Sequence, residues 1–453
     1  MNVLERLETE KISKLLIEFS IPAIVGMIVF ALYNIVDRIF IGKGIGAYAM
    51  AGLSICFPIF IIYIAFGMLI GQGGGSVLSI KLGEHDYKGA QKALGNTFTL
   101  FILVSLFLSI FGYIYIDKIL LIFGASEVTL PYAKEYIFVI NNLVIFNFMS
   151  MGISNLVRAE GNAKFAMQTM ILGAITNIIL DPIFIFYFHM GIKGAAYATI
   201  VSNMIVSLIN TYYFTFGKKC HVRLRREDLI LDMETVKMIL SIGISPFSLQ
   251  LTTSLATVLC NKELLLQGGD FAVGAMGIIN SIYMFLSMVI AGISTGSQPI
   301  LGYNFGAKKY NRVLKTFKIS IIAAVSLGFF LMVCIFIVPS IFINLFNDGN
   351  QEILKIGING IRIYFLLIPL NCFYIVGSNY FQSINKANKS LFLNLLRQIF
   401  LVIPLLLILP HYFGISGIWM IFPISDLIVF AVTVIFLKRH MTKMRRLNYA
   451  SLA

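Results

Sequence analysis

Asp181 stands in the stretch NIILDPIFIFYF, with Asn177 one helical turn earlier and Pro182 directly after. A spacing of four places the Asn and Asp side chains on one helix face. Pro182 lacks an N–H, so the carbonyl of Ile178 loses its usual helical partner. A second acid, Asp37, follows Tyr33 and Asn34 in ALYNIVDRIFIG at spacings of four and three, so these three also share a face. Carboxylates, an amide and a hydroxyl are hard oxygen donors that suit a small cation. The same two acids could instead hold a proton between them.

These residues lie in chain apolar enough to cross a membrane. The 453 residues are 58% hydrophobic and 12% charged, with mean hydropathy +0.88. Soluble domains are nearer half apolar and a quarter charged. The apolar runs are continuous and about 20 residues or longer, which predicts helices rather than barrel strands. Twelve spans are predicted, at 15–41, 48–79, 93–116, 132–157, 165–188, 192–216, 237–266, 271–302, 315–338, 354–382, 390–411 and 414–437. The first run is long and follows the charged MNVLERLETEKISK, so it is expected to be retained rather than cleaved.

The net charge of +14 is unevenly placed. Lys and Arg concentrate at the termini and beside the loops after even-numbered spans, as in KKCHVRLRRED (218–228) and the tail KRHMTKMRR (438–446). The positive-inside rule puts both termini in the cytoplasm and argues against a nucleic-acid partner. The five Cys are scattered and form no CxxC, so neither a disulfide framework nor a metal cluster is expected.

The chain repeats itself at an offset of 223 residues. GGGSVLSIKLGEHDY (73–87) lies against GSQPILGYNFGAKKY (296–310), and GIKGAAYA (191–198) against GISGIWMI (414–421). Each half holds six spans, an even number, so the halves are parallel repeats, an arrangement in which transporters place substrate between the lobes. The expected division is an N-lobe at 1–217, a basic linker at 218–236 and a C-lobe at 237–453.

With that topology the acids acquire a common depth. Asp37 in span 1, Asp181 in span 5 and Thr199 in span 6 all lie roughly 10 Å below the outer end of their helices. Asp37 maps near Asn261 of the second half and Asp181 near Pro404, so the acids occur in the first half alone. A packing role should recur in both halves, so this asymmetry favours function. An ionisable residue within a span is costly and is a functional candidate by default. Tyr33, Asn34, Gln250 (four after Pro246) and Asp426 in span 12 are further candidates, for a substrate cavity. Arg362 and Arg397 lie within spans 10 and 11. Arg158 and Glu160 end span 4 as a solvated helix end or a gate pair. Lys262 and Glu263 can snorkel, and His189 sits at a span end. GQGGGS (71–76) lacks GK[ST] and lies inside a span, so it predicts close packing or a kink rather than a phosphate loop. No enzyme constellation such as HExxH, GxSxG or a Cys–His pair is present.

LYNIVDRIFIG in span 1, TNIILDPIFI in span 5, GAAYAT in span 6 and GYNFGAKKY at the end of span 8 resemble the MATE (multidrug and toxic compound extrusion) transporters. Within that family the MepA-like bacterial branch is the most similar. The resemblance implies an all-α polytopic membrane protein with twelve transmembrane helices in two parallel six-helix lobes. It further implies export of bulky, often cationic lipophilic compounds from a bacterial cell membrane in exchange for inward Na⁺ or H⁺, with no cofactor. The family's N-lobe cation site falls on Asp37, Asn177, Asp181 and Thr199, with Na⁺ as the metal it could hold. SLQLTTSLATVLC in span 7 lacks the acid of the NorM-type branch, which places the coupling site in the N-lobe. A monomer is expected, because one chain contains both halves. The competing readings are a lipid or lipid-linked saccharide flippase of the related superfamily, an integral-membrane transferase, and a major-facilitator transporter. KLGEHDYKGAQK carries Gly83, Asp86 and Gly89 but no Arg pair, so it only partly matches the loop of that last class.

Overall fold

A computed structural model describes residues 3–218, 220–346 and 350–450. Those residues form helices with no strand. A short helix, α1 (Val3–Thr9), precedes α2 (Ile12–Gly44), α3 (Ala47–Gly83) and α4 (Tyr87–Ile122). The fourth span is a bent pair, α5 (Leu130–Asn142) and α6 (Val144–Ala159), meeting at 57°. Then come α7 (Ala163–Pro182), which continues into a π turn at Ile183–Tyr187, and α8 (Ile192–Phe216).

The second half repeats the pattern after a 3₁₀ turn at Arg226–Leu229. It comprises α9 (Met233–Gly306), α10 (Tyr310–Ile337), α11 (Pro339–Asn344), the bent pair α12 (Gln351–Tyr364) and α13 (Ile368–Ser383) at 52°, α14 (Ala387–Leu395), a π segment Leu396–Val402, and α15 (Ile403–Ala450). Two of these are double. α9 breaks at Gly269 (φ 64°) and α15 at Gly414 (φ 56°), both with non-helical ψ. Counting each arm, and each bent pair as one span, gives the expected twelve among the described residues.

The repeat is visible in the backbone. Gly46 pairs with Gly269, Gly191 with Gly414, and His85 with Lys308, each at the offset of 223 and each with positive φ. Glycine takes this conformation without a Cβ penalty, so these glycines allow the tight hairpins between neighbouring spans. The breaks inside spans 4 and 10 also correspond. Leu143 (φ −120°, ψ 22°) and Leu367 (φ −119°, ψ 25°) leave the helical region in the same way. The sequence reading placed unbroken spans at both positions, 132–157 and 354–382.

Buried apolar side chains gather in two cores. One runs from Leu4 to Ile242, with Ile300, Tyr303 and Ala387 reaching into it; the other runs from Ala256 to Met444. The described hydrogen bonds between the halves lie toward the basic face, where the chain ends emerge. Gln298 Nε2 donates to Ser76 Oγ at 2.7 Å, and Gln382 Nε2 to Gln72 Oε1 at 3.0 Å. Arg312 donates to the carbonyls of Leu7 (2.9 Å) and Glu10 (2.8 Å), and Lys309 pairs with Glu8 at 2.6 Å. The glycine run of α3 serves this packing. A Cβ on Gly73 would strike the carbonyl of Ile239, one on Gly74 the side chain of Thr97, and one on Gly71 the backbone of Gly152. α3 stays continuous, so close approach rather than a kink is the role of GQGGGS. On the opposite side, Ile35, Ile39, Leu255 and Val258 of the facing helices α2 and α9 remain exposed.

Candidate functional site

α2 and α7 pack side by side in the N-lobe and bring Asp37 and Asp181 together. Both acids are buried, and their carboxyl groups lie close enough to interact directly. Asn177, fully buried one turn before Asp181, ties the pair to α8. With its amide turned to satisfy both neighbours, Nδ2 donates to Asp181 Oδ2 at 3.3 Å. Its Oδ1 then accepts the backbone N–H of Thr199, also at 3.3 Å. Asp37 Oδ1 is buried without a hydrogen-bond partner. The four residues expected from spacing and depth therefore form one cluster.

Pro182 shapes this cluster as expected, with an added consequence. The helix cannot continue regularly past it. The N–H of Ile183 reaches Leu180 O, and the next turn is a π turn closed by Phe188 N–H to Ile183 O at 2.9 Å. Such turns mark functional sites in helices. Phe186 of this turn meets Phe40 edge-on at 6.2 Å between ring centroids. Gly44 lets α2 approach it, since a Cβ there would collide with Ile185 and Phe186.

Two tyrosines complete the surroundings. Tyr33, proposed for the substrate cavity, is half-buried beside both acids. Asn34 turns its amide back to Phe30 O at 2.6 Å. Tyr136 of α5 was not anticipated, yet it is buried beside Asp37, Tyr33 and Thr199. Its signal was its position near the outer end of span 4, close to the depth of the acids.

Asp426 and Gln250 lie elsewhere. Gln250 is half-buried in α9. Asp426 is enclosed in the C-lobe rather than grouped with the acids. It accepts from Arg397 Nε at 2.9 Å and from Asn371 Nδ2 at 2.8 Å. Arg397 lies in the π segment of span 11 and also sits over the Tyr374 ring at 5.8 Å. Sequence reading named Arg397 and Asp426 separately and missed their pairing. Arg362 stays at the surface.

Arg158 and Glu160 form neither a gate pair nor a solvated helix end. Both are buried, and Arg158 bonds to Asn155. The Glu160 carboxylate accepts the backbone N–H groups of His221 and Val222, anchoring the linker; the Val222 bond is 2.9 Å. Burial pushes the Glu160 carboxyl up to about 7.

A duplicated bundle of long apolar helices, sealed at one face and holding an acid pair inside one lobe, defines a multi-pass membrane transporter rather than an enzyme. The family model for MatE matches residues 22–183 and 243–408, one stretch in each half. The chain belongs to the MATE family. It is 27% identical to the multidrug export protein MepA of Staphylococcus haemolyticus (strain JCSC1435), over 91% of this chain and 90% of that one. Among solved structures, a MATE protein in the bent conformation superposes with TM-score 0.93 at 25% identity, covering 98% of this chain and 99% of that one. The outward-facing conformation of a multidrug resistance MATE family transporter gives TM-score 0.90 at 26% identity, over 97% and 98% of the two chains.

Proposed function

We propose that the chain is a multidrug exporter of a bacterial plasma membrane that expels lipophilic, often cationic compounds in exchange for inward Na⁺ or H⁺. The observation that carries this reading is the Asp37–Asp181 pair, with one Asp37 oxygen buried and unpartnered. Two carboxyl groups in contact cannot both remain charged in an apolar site without a cation or a proton between them. Asp37, Asp181, Asn177 and Thr199 offer the oxygens that would hold Na⁺. A shared proton would fill the same role.

Coupling follows from the placement of the site. Its members come from α2, α7 and α8, so occupation changes how these helices pack. In the proposed cycle the N-lobe (1–217) and C-lobe (237–453), joined by the linker at 218–236, rock about the sealed basic face. The basic face is cytoplasmic in this reading, so the described state opens outward. Ion and drug need only favour different states, or compete, for the downhill ion to drive export. One chain contains both lobes, and a monomer suffices.

The test is ethidium efflux from proteoliposomes, with Na⁺ and pH gradients imposed separately, for wild type and Asp37→Asn. Efflux driven by one gradient and lost in the variant assigns the ion and places coupling in the N-lobe. Folded protein that moves no dye under either gradient would overturn the proposal and turn attention to lipid-linked substrates.

A further inference from the structure

A groove of about 440 Å³ lies between α10 and α15 on the C-lobe, near the basic face. Ile321 of α10 and Val434 and Leu437 of α15 form its walls, and Phe373 of α13 reaches into it. On α15, Val434, Leu437, Lys438 and Met441 follow the spacing of one helix face. The surrounding surface faces lipid, since Ile322 and Phe330 of α10 are 54% and 66% exposed.

Three cations join this apolar groove. Lys315, Lys318 and Lys438 all line it and all are exposed. None has an acidic neighbour in sequence, for 310–346 and 427–450 contain no Asp or Glu. Among the described residues no salt bridge involves any of the three, whereas Lys81, Lys92, Lys134, Lys193 and Lys309 are each paired with an acid. Apolar walls with unneutralised lysines call for an amphipathic anion. Basic pockets between transmembrane helices hold anionic lipid head groups in this way.

We infer that this groove binds one anionic phospholipid, with an acyl chain along Ile321, Val434 and Leu437 and the phosphate at Lys315, Lys318 and Lys438. The site is separate from the acid pair and does not depend on which ion drives transport. Only the assignment of the lipid to the cytoplasmic leaflet rests on the orientation proposed above.

Native mass spectrometry of the full-length protein, released from micelles containing equal phosphatidylglycerol and phosphatidylcholine, reads the preference directly. Wild type is expected to retain phosphatidylglycerol. Lys315→Gln, Lys318→Gln and Lys438→Gln together should lower the retained ratio at least about tenfold, since each basic residue near a lipid surface contributes to binding. Val434→Trp, which keeps the lysines and fills the groove, should lower total retention. Lys218→Gln, Arg223→Gln and Lys237→Gln, which remove three cations of the linker region, should leave the ratio unchanged. An unchanged ratio in the groove triple variant would overturn the site. An equal loss in the linker variant would reduce it to general surface charge. Displacement by glycerol phosphate at the concentration at which intact lipid displaces would refute the acyl groove.

Discussion

Asn371 donates to Asp426 at 2.8 Å in the C-lobe, at the place where the N-lobe joins Asn147 to Asn203. Asp426 and Asn203 correspond at the repeat offset of 223, and Asn371 and Asn147 at 224. Both lobes thus keep a polar bridge between their fourth and sixth spans. The C-lobe has made one partner an acid and supplied Arg397 to neutralise it. The N-lobe has kept that bridge neutral and placed its acids at Asp37 and Asp181. Within its spans, each lobe carries its buried acids at a different point of a shared scaffold.

That arrangement predicts unequal effects for Arg397. Arg397→Gln leaves the Asp426 carboxylate buried without its cation and should destabilise the protein by about 3–5 kcal/mol. Arg397→Met combined with Asp426→Asn removes both charges and should recover most of the loss. Thermal melting of the purified variants separates the cases. Equal destabilisation in single and double variants would refute the ion-pair account.

The N-lobe cluster predicts a graded series. Asp37→Asn and Asp181→Asn should each abolish gradient-driven efflux. Thr199→Ser keeps both the hydroxyl and the backbone N–H that Asn177 accepts, and should transport nearly as wild type. Tyr136→Phe removes only a hydroxyl beside the cluster and should slow efflux without ending it. Initial rates in proteoliposomes give the order. Full loss in Thr199→Ser would show that the cluster was misread.

The basic-face seal has its own test. A Cβ on Gly83 would meet the backbone of Tyr303, so Gly83→Val should block closure of this face. Ser76→Cys, placed at the Gln298 contact in a background without the five native cysteines, then reports on the seal. Labelling by an impermeant maleimide applied from the basic side should rise in Gly83→Val, and efflux should fall.

Glu160 predicts a pH dependence of stability. Its carboxyl is held up to about 7 when folded, against 4.5 as the ordinary value. A raised pKa contributes stability that is fully present at pH values below 4.5 and is lost as pH rises toward 7. Between those values the unfolded chain has already released a proton that the folded protein retains. The melting temperature should therefore fall across that window through this group and level off above it. Glu160→Gln, which keeps an oxygen to accept the His221 and Val222 N–H groups, should flatten that part of the profile.

The sequence by itself determined the class of fold and the members of the acid cluster. Twelve apolar runs can satisfy their backbone groups in lipid only as helices. The repeat offset then fixed parallel halves, and span direction put Asp37, Asp181 and Thr199 at one depth. Those are properties of single helices and their order, so they are written in linear spacing. What only the tertiary structure decided depends on which helices touch. It joined Arg397 to Asp426, 29 positions apart, set Tyr136 beside Thr199, and turned Glu160 onto the linker backbone. It also bent spans 4 and 10 at Leu143 and near Leu367, and set the π turn after Pro182 against α2. Depth places a side chain along the membrane normal, whereas its partner is set by helix rotation and neighbour choice, and only packing fixes those two variables.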